Sequence, residues 1–427
     1  MNASVAVVGA GWAGLAAAVE ACSRGHAVTL YETAAIAGGR ARRLPDAGLG
    51  FALDNGQHIL IGAYAATLAL MRRVGADPEA LLLRRPLALV DAAGRGLALP
   101  PGAPVPAFVR GVLAARGWSL RERLALLAAA GGWALRGFRC DARLSVATLC
   151  AGLPVPLQRT LIEPLCIAAL NTPMPQASAQ VFLRVLRDAL FSGPGSADLL
   201  LPRADLGALL PDAALAWLAR HGATLRLGER VTALRRDGAG WVVEAGADAR
   251  RADRVILAAS PTEAARLAAP HAPRWSAAVE ALRFEPIVTV LLRATPGTRL
   301  AQPMLMLDSG PAAPAQVLFD LGALRNADGV LAAVVSGAST WLERGLDATA
   351  EAVRVQVAAA LGSELALLCR HAEKRATFLC RPDALRPGAS LAPALAAAGD
   401  YVAGPYPATL EGAVRSGLAA VRSIDLA

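Results

Sequence analysis

The chain has 427 residues, enough for two or three structural units and a sizeable buried core. Its hydrophobic fraction of 55% against 18% charged residues excludes a disordered chain. Six cysteines without a C-x-x-C pair exclude a disulfide scaffold and a structural zinc site, so the thiols read as reduced and the compartment as cytoplasmic.

The net charge is +9, carried almost wholly by arginine; Lys374 is the sole lysine. Aromatics are only 4% and no long basic run exists, so nucleic acid is set aside as a partner. Mean hydropathy is high at +0.42, yet no apolar run reaches the ~20 residues of a spanning helix. Dispersed arginines on so apolar a chain point to an anionic membrane surface as a partner. A compositional bias toward Ala and Arg is the competing explanation.

The run Val5–Val8 reads as a buried parallel strand leading into Gly9-Ala10-Gly11-Trp12-Ala13-Gly14. A helix over Leu15–Cys22 and a second strand over Ala27–Tyr31 follow, closed by Glu32. This is the strand–turn–helix–strand setting of a dinucleotide fingerprint. Gly9 permits the tight turn, Gly11 lets a pyrophosphate approach the backbone, and Gly14 lets helix and strand pack closely. The helix N-terminus offers free N–H groups to phosphates. Glu32 accepts from ribose hydroxyls and disfavours a 2′-phosphate. Positions 9–14 and Glu32 are therefore candidate cofactor contacts.

Gly38-Gly39-Arg40 comes next, with a guanidinium for phosphate, then Leu53-Asp54-Asn55-Gly56-Gln57-His58. Between 65 and 200 the chain reads as Arg-flanked Ala/Leu helices. Phe108, Val109, Val112, Leu113 and Trp118 fall near one helical face, read first as core packing and second as an interfacial anchor over 105–139. Strands are expected at 223–227, 229–234, 241–244 and 254–261, then at 286–292 and 330–335. Near the end, Gly399-Asp400 closes a strand, with Asp400 toward ribityl or phosphate oxygens. A helix starting near Glu411 turns its amides to a flavin ring.

The fingerprint, Gly38-Gly39-Arg40 and the Gly399–Gly417 segment resemble the flavin amine oxidase and phytoene desaturase superfamily. Four runs more narrowly resemble its squalene-associated branch, the hydroxysqualene dehydroxylases: Asp54–Tyr64, Glu163–Pro173, Leu200–Leu206 and Glu373–Phe378. Where that family continues Gly-Asp with Trp-Thr, this chain has Tyr401-Val402, and Tyr401 and Tyr406 are expected to reshape the pocket beside the flavin.

The resemblance implies an α/β fold: a Rossmann-like FAD-binding domain joined to a mixed α+β substrate domain. The expected division is 1–64, 203–268 and 381–427 for FAD, and 65–202 and 269–380 for substrate. FAD is the implied cofactor. The implied contacts are Gly9, Ala10, Gly11, Trp12, Ala13, Gly14, Glu32, Gly39, Arg40, Gly56, Gln57, His58, Val231 (to adenine), Gly399, Asp400, Leu410, Glu411 and Ala413. The implied reaction is reductive loss of the hydroxyl of hydroxysqualene, with hydride from reduced flavin. Glu163, which burial in its apolar segment would keep protonated, and His58 are the catalytic candidates, against the competing readings of Glu163 as a helix cap or Arg partner and of His58 as a structural or flavin-adjacent residue; no metal is implied. The alternatives are an oxidative carotenoid desaturase and a redox-inactive prenyl-lipid carrier. The electron donor is not identifiable from a single fingerprint. The expected location is the inner face of the cytoplasmic membrane.

Overall fold

The structure is a computed structural model that describes residues 3–45 and 48–425. Its central sheet is built on the opening strand Ser4–Val8, which lies parallel between Ala27–Glu32 and Arg254–Leu257. Thr224–Leu227 extends one side and Leu395–Ala397 the other, both parallel, and Ser390–Ala392 adds an antiparallel edge.

Alternation along these strands sorts the two faces. Val5, Val7 and Ile256 point into a cluster with the helices Trp12–Ser23, Pro211–Arg220 and Leu410–Asp425. Ala6, Val8, Val255 and Leu257 point the other way, onto the three-stranded meander Val231–Asp237, Gly240–Ala245 and Asp248–Ala252. The expected strands of this region are all present. The first helix begins three residues earlier than expected because Gly11 itself is its N-cap.

A second sheet is wholly antiparallel, in the order Met304–Met306, Val317–Asp320, Val330–Val335, Phe284–Arg293, Ala366–Phe378. Val288, Val290 and Leu292 pack on the helix Leu346–Leu361 through Ala350, Val353 and Val357. On the opposite face Leu291 meets Leu53, Leu199 and Leu201, so this face looks toward the 53–58 loop. A small sheet of Leu60–Ile61, Leu199–Pro202 and Leu82–Arg85 sits beside it.

The regular elements of residues 104–191 are all helices among the described residues. The pair Pro104–Ala114 and Leu120–Leu135 is joined by a turn whose Ser119 and Glu122 form a reciprocal capping box. The face expected from sequence is split. Phe108, Val112 and Trp118 are buried, whereas Val109 and Leu113 are exposed. Among the described residues no helix is long and apolar enough to cross a membrane, and no cluster of His, Cys, Asp and Glu is arranged to hold a metal ion.

Candidate active site

Three glycines shape the first turn, each for a different reason. Gly9 has φ +109°, and a Cβ there would sit 2.5 Å from the Ala258 carbonyl oxygen. A Cβ on Gly14 would lie 1.8 Å from the Gly9 carbonyl oxygen, so helix and strand close up only with glycine. A Cβ on Gly11 would meet nothing nearer than the Gly39 Cα at 3.8 Å. Gly11 therefore opens onto a cleft whose far wall is the second glycine segment. Gly11 and Gly38 form a parallel bridge, with Gly38 N–H donating to Ala10 O at 2.8 Å.

The first helix has no side-chain cap and no acid in its first turn, so its N–H groups face that cleft uncompensated. Glu32 holds the loop from below: Oε2 accepts from Ala10 N–H at 2.7 Å and Oε1 from Ala34 N–H at 2.9 Å. The Glu32 end of its strand also receives Glu229 N–H at 2.8 Å, which brings the Val231 strand alongside. Val231 O accepts from Arg266 Nη2 at 3.2 Å.

Arg40 joins the elements around the cleft. Nη1 donates to Ala376 O at 2.7 Å and Nη2 pairs with Asp400. Asn55 Nδ2 donates to Arg40 O at 2.9 Å and to Glu373 Oε2 at 2.8 Å. The strand Ala366–Phe378 is thus tied to the 53–58 loop, and Ile287–Glu373 and Thr289–His371 are paired neighbours on it. Buried polar atoms without a partner collect here: Asn55 Oδ1, His371 Nε2 and the Tyr401 hydroxyl. Tyr401 stacks on the backbone of Gly399, whose Cβ would lie 2.4 Å from the ring. Uncompensated buried polar atoms cost about 1–3 kcal/mol each, which a bound polar ligand offsets. A backbone-walled cleft at a bare helix N-terminus, leading to these atoms, fits FAD.

The fingerprint residues, Gly39, Arg40, Gly56, His58, Gly399 and Asp400 are brought together around this cleft, and partly buried Gln57 lies between Gly56 and His58. Two expected contacts are corrected in part. The Trp12 ring is buried, with Nε1 donating to Ala41 O at 3.0 Å, so only its backbone faces the cleft. The Glu411 carboxylate points away: it is fully buried and accepts from Ala66 N–H, Thr67 N–H, Thr67 Oγ1 and Arg415, capping the helix Ala65–Val74. Leu410 and Ala413 lie in the first turns of the last helix, and Gly412 N–H donates to Thr409 Oγ1 at 2.9 Å.

Glu163 is also corrected. It opens the helix Glu163–Leu170 directly after a π-turn and stands exposed, so the burial that was to keep it protonated is missing. His58 is held by its own loop, Nδ1 lying 3.1 Å from Gly56 O. Burial, with the charges of Arg325 and Arg40, keeps its imidazole below the ordinary histidine range and hence neutral. With the proton on Nδ1 toward Gly56 O, Nε2 is an acceptor, not an acid.

Arg325 was missed in the sequence. It ends the short helix Leu321–Arg325, and its Nη1 lies 2.5 Å from Asp54 Oδ2. The Asp54 side chain is fully buried and the Arg325 side chain only 8% exposed. Burial pushes the Asp54 carboxyl up, against the Arg325 charge and the Leu206 N–H, which pull it down. Arg325 Nε and Nη2 remain buried without a partner. His371 lies in the middle of the strand Ala366–Phe378. Lys374 is exposed.

Residues 12–425 match the family of flavin containing amine oxidoreductases. The chain is 29% identical to the hydroxysqualene dehydroxylase of Sinorhizobium fredii, over 100% of this chain and 99% of the relative. It is 30% identical to that of Rhodopseudomonas palustris, over 98% and 97%. An oxidoreductase of Methanosarcina mazei has the same fold at 15% identity, with a TM-score of 0.74 over 98% of this chain and 100% of that one. The chain is an FAD-dependent oxidoreductase that belongs to the flavin containing amine oxidoreductases and, within them, to the hydroxysqualene dehydroxylases.

Proposed function

We propose that the chain removes the hydroxyl group of hydroxysqualene reductively, giving squalene and water at the expense of one hydride and one proton. Residues 1–64, 203–268 and 381–427 form the FAD-binding unit, and 65–202 and 269–380 the substrate unit. Gly9–Gly14 and the helix behind them take the pyrophosphate, Glu32 the ribose and the Val231 backbone the adenine. Gly39, Arg40, Gly399 and Asp400 take the phosphate–ribityl stretch. Gly56, Gln57 and His58 lie against the ring, and the backbone of Leu410, Glu411 and Ala413 faces its pyrimidine edge. FAD, when bound and reduced, supplies the hydride to the allylic carbon.

The observation that carries this reading is Arg325. A carotenoid desaturase handles a pure hydrocarbon and has no use for a buried guanidinium with two unpartnered donors. An allylic alcohol does. Arg325 Nε–H and Nη2–H donate to the departing oxygen and take up its developing negative charge. Neutral His58 accepts a hydrogen bond from the hydroxyl O–H at Nε2 and so orients the C–O bond, while the proton that completes water is drawn from bulk solvent as the product leaves. Asp54 keeps Arg325 in place. The surrounding leucines exclude water.

Ligand binding to the oxidised enzyme tests this. A hydrogen bond to a charged donor contributes about 1.5–3 kcal/mol, so hydroxysqualene should bind roughly ten- to a hundredfold more tightly than squalene. Arg325→Lys, which keeps the charge beside Asp54, should erase most of that preference. Equal binding of alcohol and hydrocarbon by the wild type would remove the basis of the assignment. Because both ligands dissolve in bilayers, we locate the protein on the inner face of the cytoplasmic membrane.

A further inference from the structure

Seven of the eleven large apolar side chains that stand exposed among the described residues lie between 105 and 155. Val105, Val109 and Leu113 follow one another at four-residue spacing on the helix Pro104–Ala114, forming a single outward row. Leu120, Leu124 and Leu135 form the corresponding row on Leu120–Leu135, and Val155 follows. Between Leu124 and Leu135 the row is floored by exposed Ala128 and Gly131, and a Cβ on Gly131 would meet nothing within 4 Å. These rows are surplus to the core. The inner faces of the same helices already bury Phe108 and Val112, and Leu126, Ala130 and Trp133.

The charges around the rows are one-sided. Residues 104–160 carry eight arginines and two acids, Glu122 and Asp141. Glu122 is engaged by Ser119, and Asp141 accepts from Arg143 N–H. None of the eight arginines forms an ion pair among the described residues. Arg110 and Arg123 reach only backbone carbonyls. Elsewhere arginines are commonly paired, as in Arg226 with Glu229 and Asp248.

We infer that the hairpin 104–135 is the face by which this protein docks on an anionic phospholipid bilayer. The apolar rows enter the headgroup–acyl boundary, and the arginines extend to the phosphates. A second copy of the chain fits the same face poorly. A two-fold contact would set one arginine-rich rim against an identical one, whereas a bilayer of anionic lipid neutralises it. With no spanning helix among the described residues, the contact involves one leaflet. The apolar cluster beneath the hairpin runs without a break from Phe108 and Trp133 to Tyr401, beside the Arg40–Asp400 pair, so the docked face adjoins the interior that ends at the site. The inference deepens the membrane location proposed above and does not depend on the reaction.

Vesicle flotation of the FAD-loaded protein tests it, with phosphatidylcholine alone and phosphatidylcholine mixed with phosphatidylglycerol. Binding to the mixed vesicles at low salt, weakening as salt rises, is expected. Leu120→Ser/Leu124→Ser/Leu135→Ser, all on exposed positions, should retain FAD absorbance and lose at least about tenfold in binding to the mixed vesicles. Arg121→Gln/Arg136→Gln/Arg139→Gln should lose about fivefold per arginine and flatten the salt dependence. Wild-type protein that ignores the mixed vesicles at low salt would overturn both the face and the membrane location. Wild-type binding that both variants reproduce would overturn the face alone. A stable dimer abolished by the leucine substitutions, without vesicle binding, would assign the surface to self-association instead.

Discussion

The three glycines of the first turn should separate under substitution, because on the proposed reading only Gly11 faces the ligand. Gly11 has φ −72° and ψ 176°, a conformation open to any residue. An alanine Cβ there meets the Gly39 Cα at 3.8 Å, ordinary van der Waals contact. The apoprotein should therefore tolerate Gly11→Ala and gain about 0.4–1 kcal/mol from the stiffer unfolded chain. The same methyl would stand where we propose that the pyrophosphate meets the backbone, and overpacking there costs about 1–3 kcal/mol, roughly ten- to a hundredfold in FAD Kd. Gly11→Val should abolish binding. Gly9→Ala and Gly14→Ala should instead fail to fold with or without FAD, since their methyls would sit 2.5 Å and 1.8 Å from backbone oxygens. Thermal unfolding of each apoprotein, followed by FAD titration, reads both effects. A saturating FAD concentration of a hundred times Kd should stabilise the wild type by about 2.7 kcal/mol and Gly11→Val not at all. Wild-type FAD occupancy in Gly11→Val, or a Gly11→Ala apoprotein as unstable as Gly14→Ala, would refute the reasoning.

Further outcomes follow from the other residues. Glu163→Gln should leave turnover unchanged, because the carboxyl is exposed; a large loss measured in single turnover would return Glu163 to the acid role. Glu411→Ala should lower stability by about 3 kcal/mol or more in denaturant titration, since it strands the N–H groups of Ala66 and Thr67, with little change in FAD Kd. His58 binds its proton less readily in the folded protein than in the unfolded chain. Its contribution to stability is complete above the ordinary histidine pKa of about 6.5 and is lost as pH falls below it. The Tm difference between wild type and His58→Asn should be constant above that pH and shift toward the variant below it. A pH-independent difference would exclude a depressed His58.

The legible parts of the site are those where a side chain, or its absence, is forced by backbone geometry. Gly9 and Gly14 sit where a Cβ cannot, and a strand followed by a bare helix N-terminus has few sequence disguises. The strand at Val330–Val335 was equally legible, because six consecutive apolar residues are buried on both faces. Glu163 misled because Pro164 and its apolar neighbours suggest burial, whereas the π-turn before it sets which side of the helix faces out. Trp12 and Glu411 misled differently: a motif position fixes the backbone, not the direction of the side chain. Arg325 carried no signal at all. Its partner Asp54 lies in a remote part of the chain, and only the meeting of the second sheet with the 53–58 loop brings them together. The strand Ala366–Phe378 was hidden for a related reason: one of its faces carries His371 and Glu373 into the site, which breaks the apolar alternation.

The most direct test of the central claim is an anaerobic single turnover of chemically reduced enzyme with hydroxysqualene, with flavin absorbance and extracted product followed together. One squalene should form for each flavin reoxidised, at the same rate. Squalene without matching flavin oxidation, or no squalene while the oxidised enzyme desaturates phytoene, would contradict it.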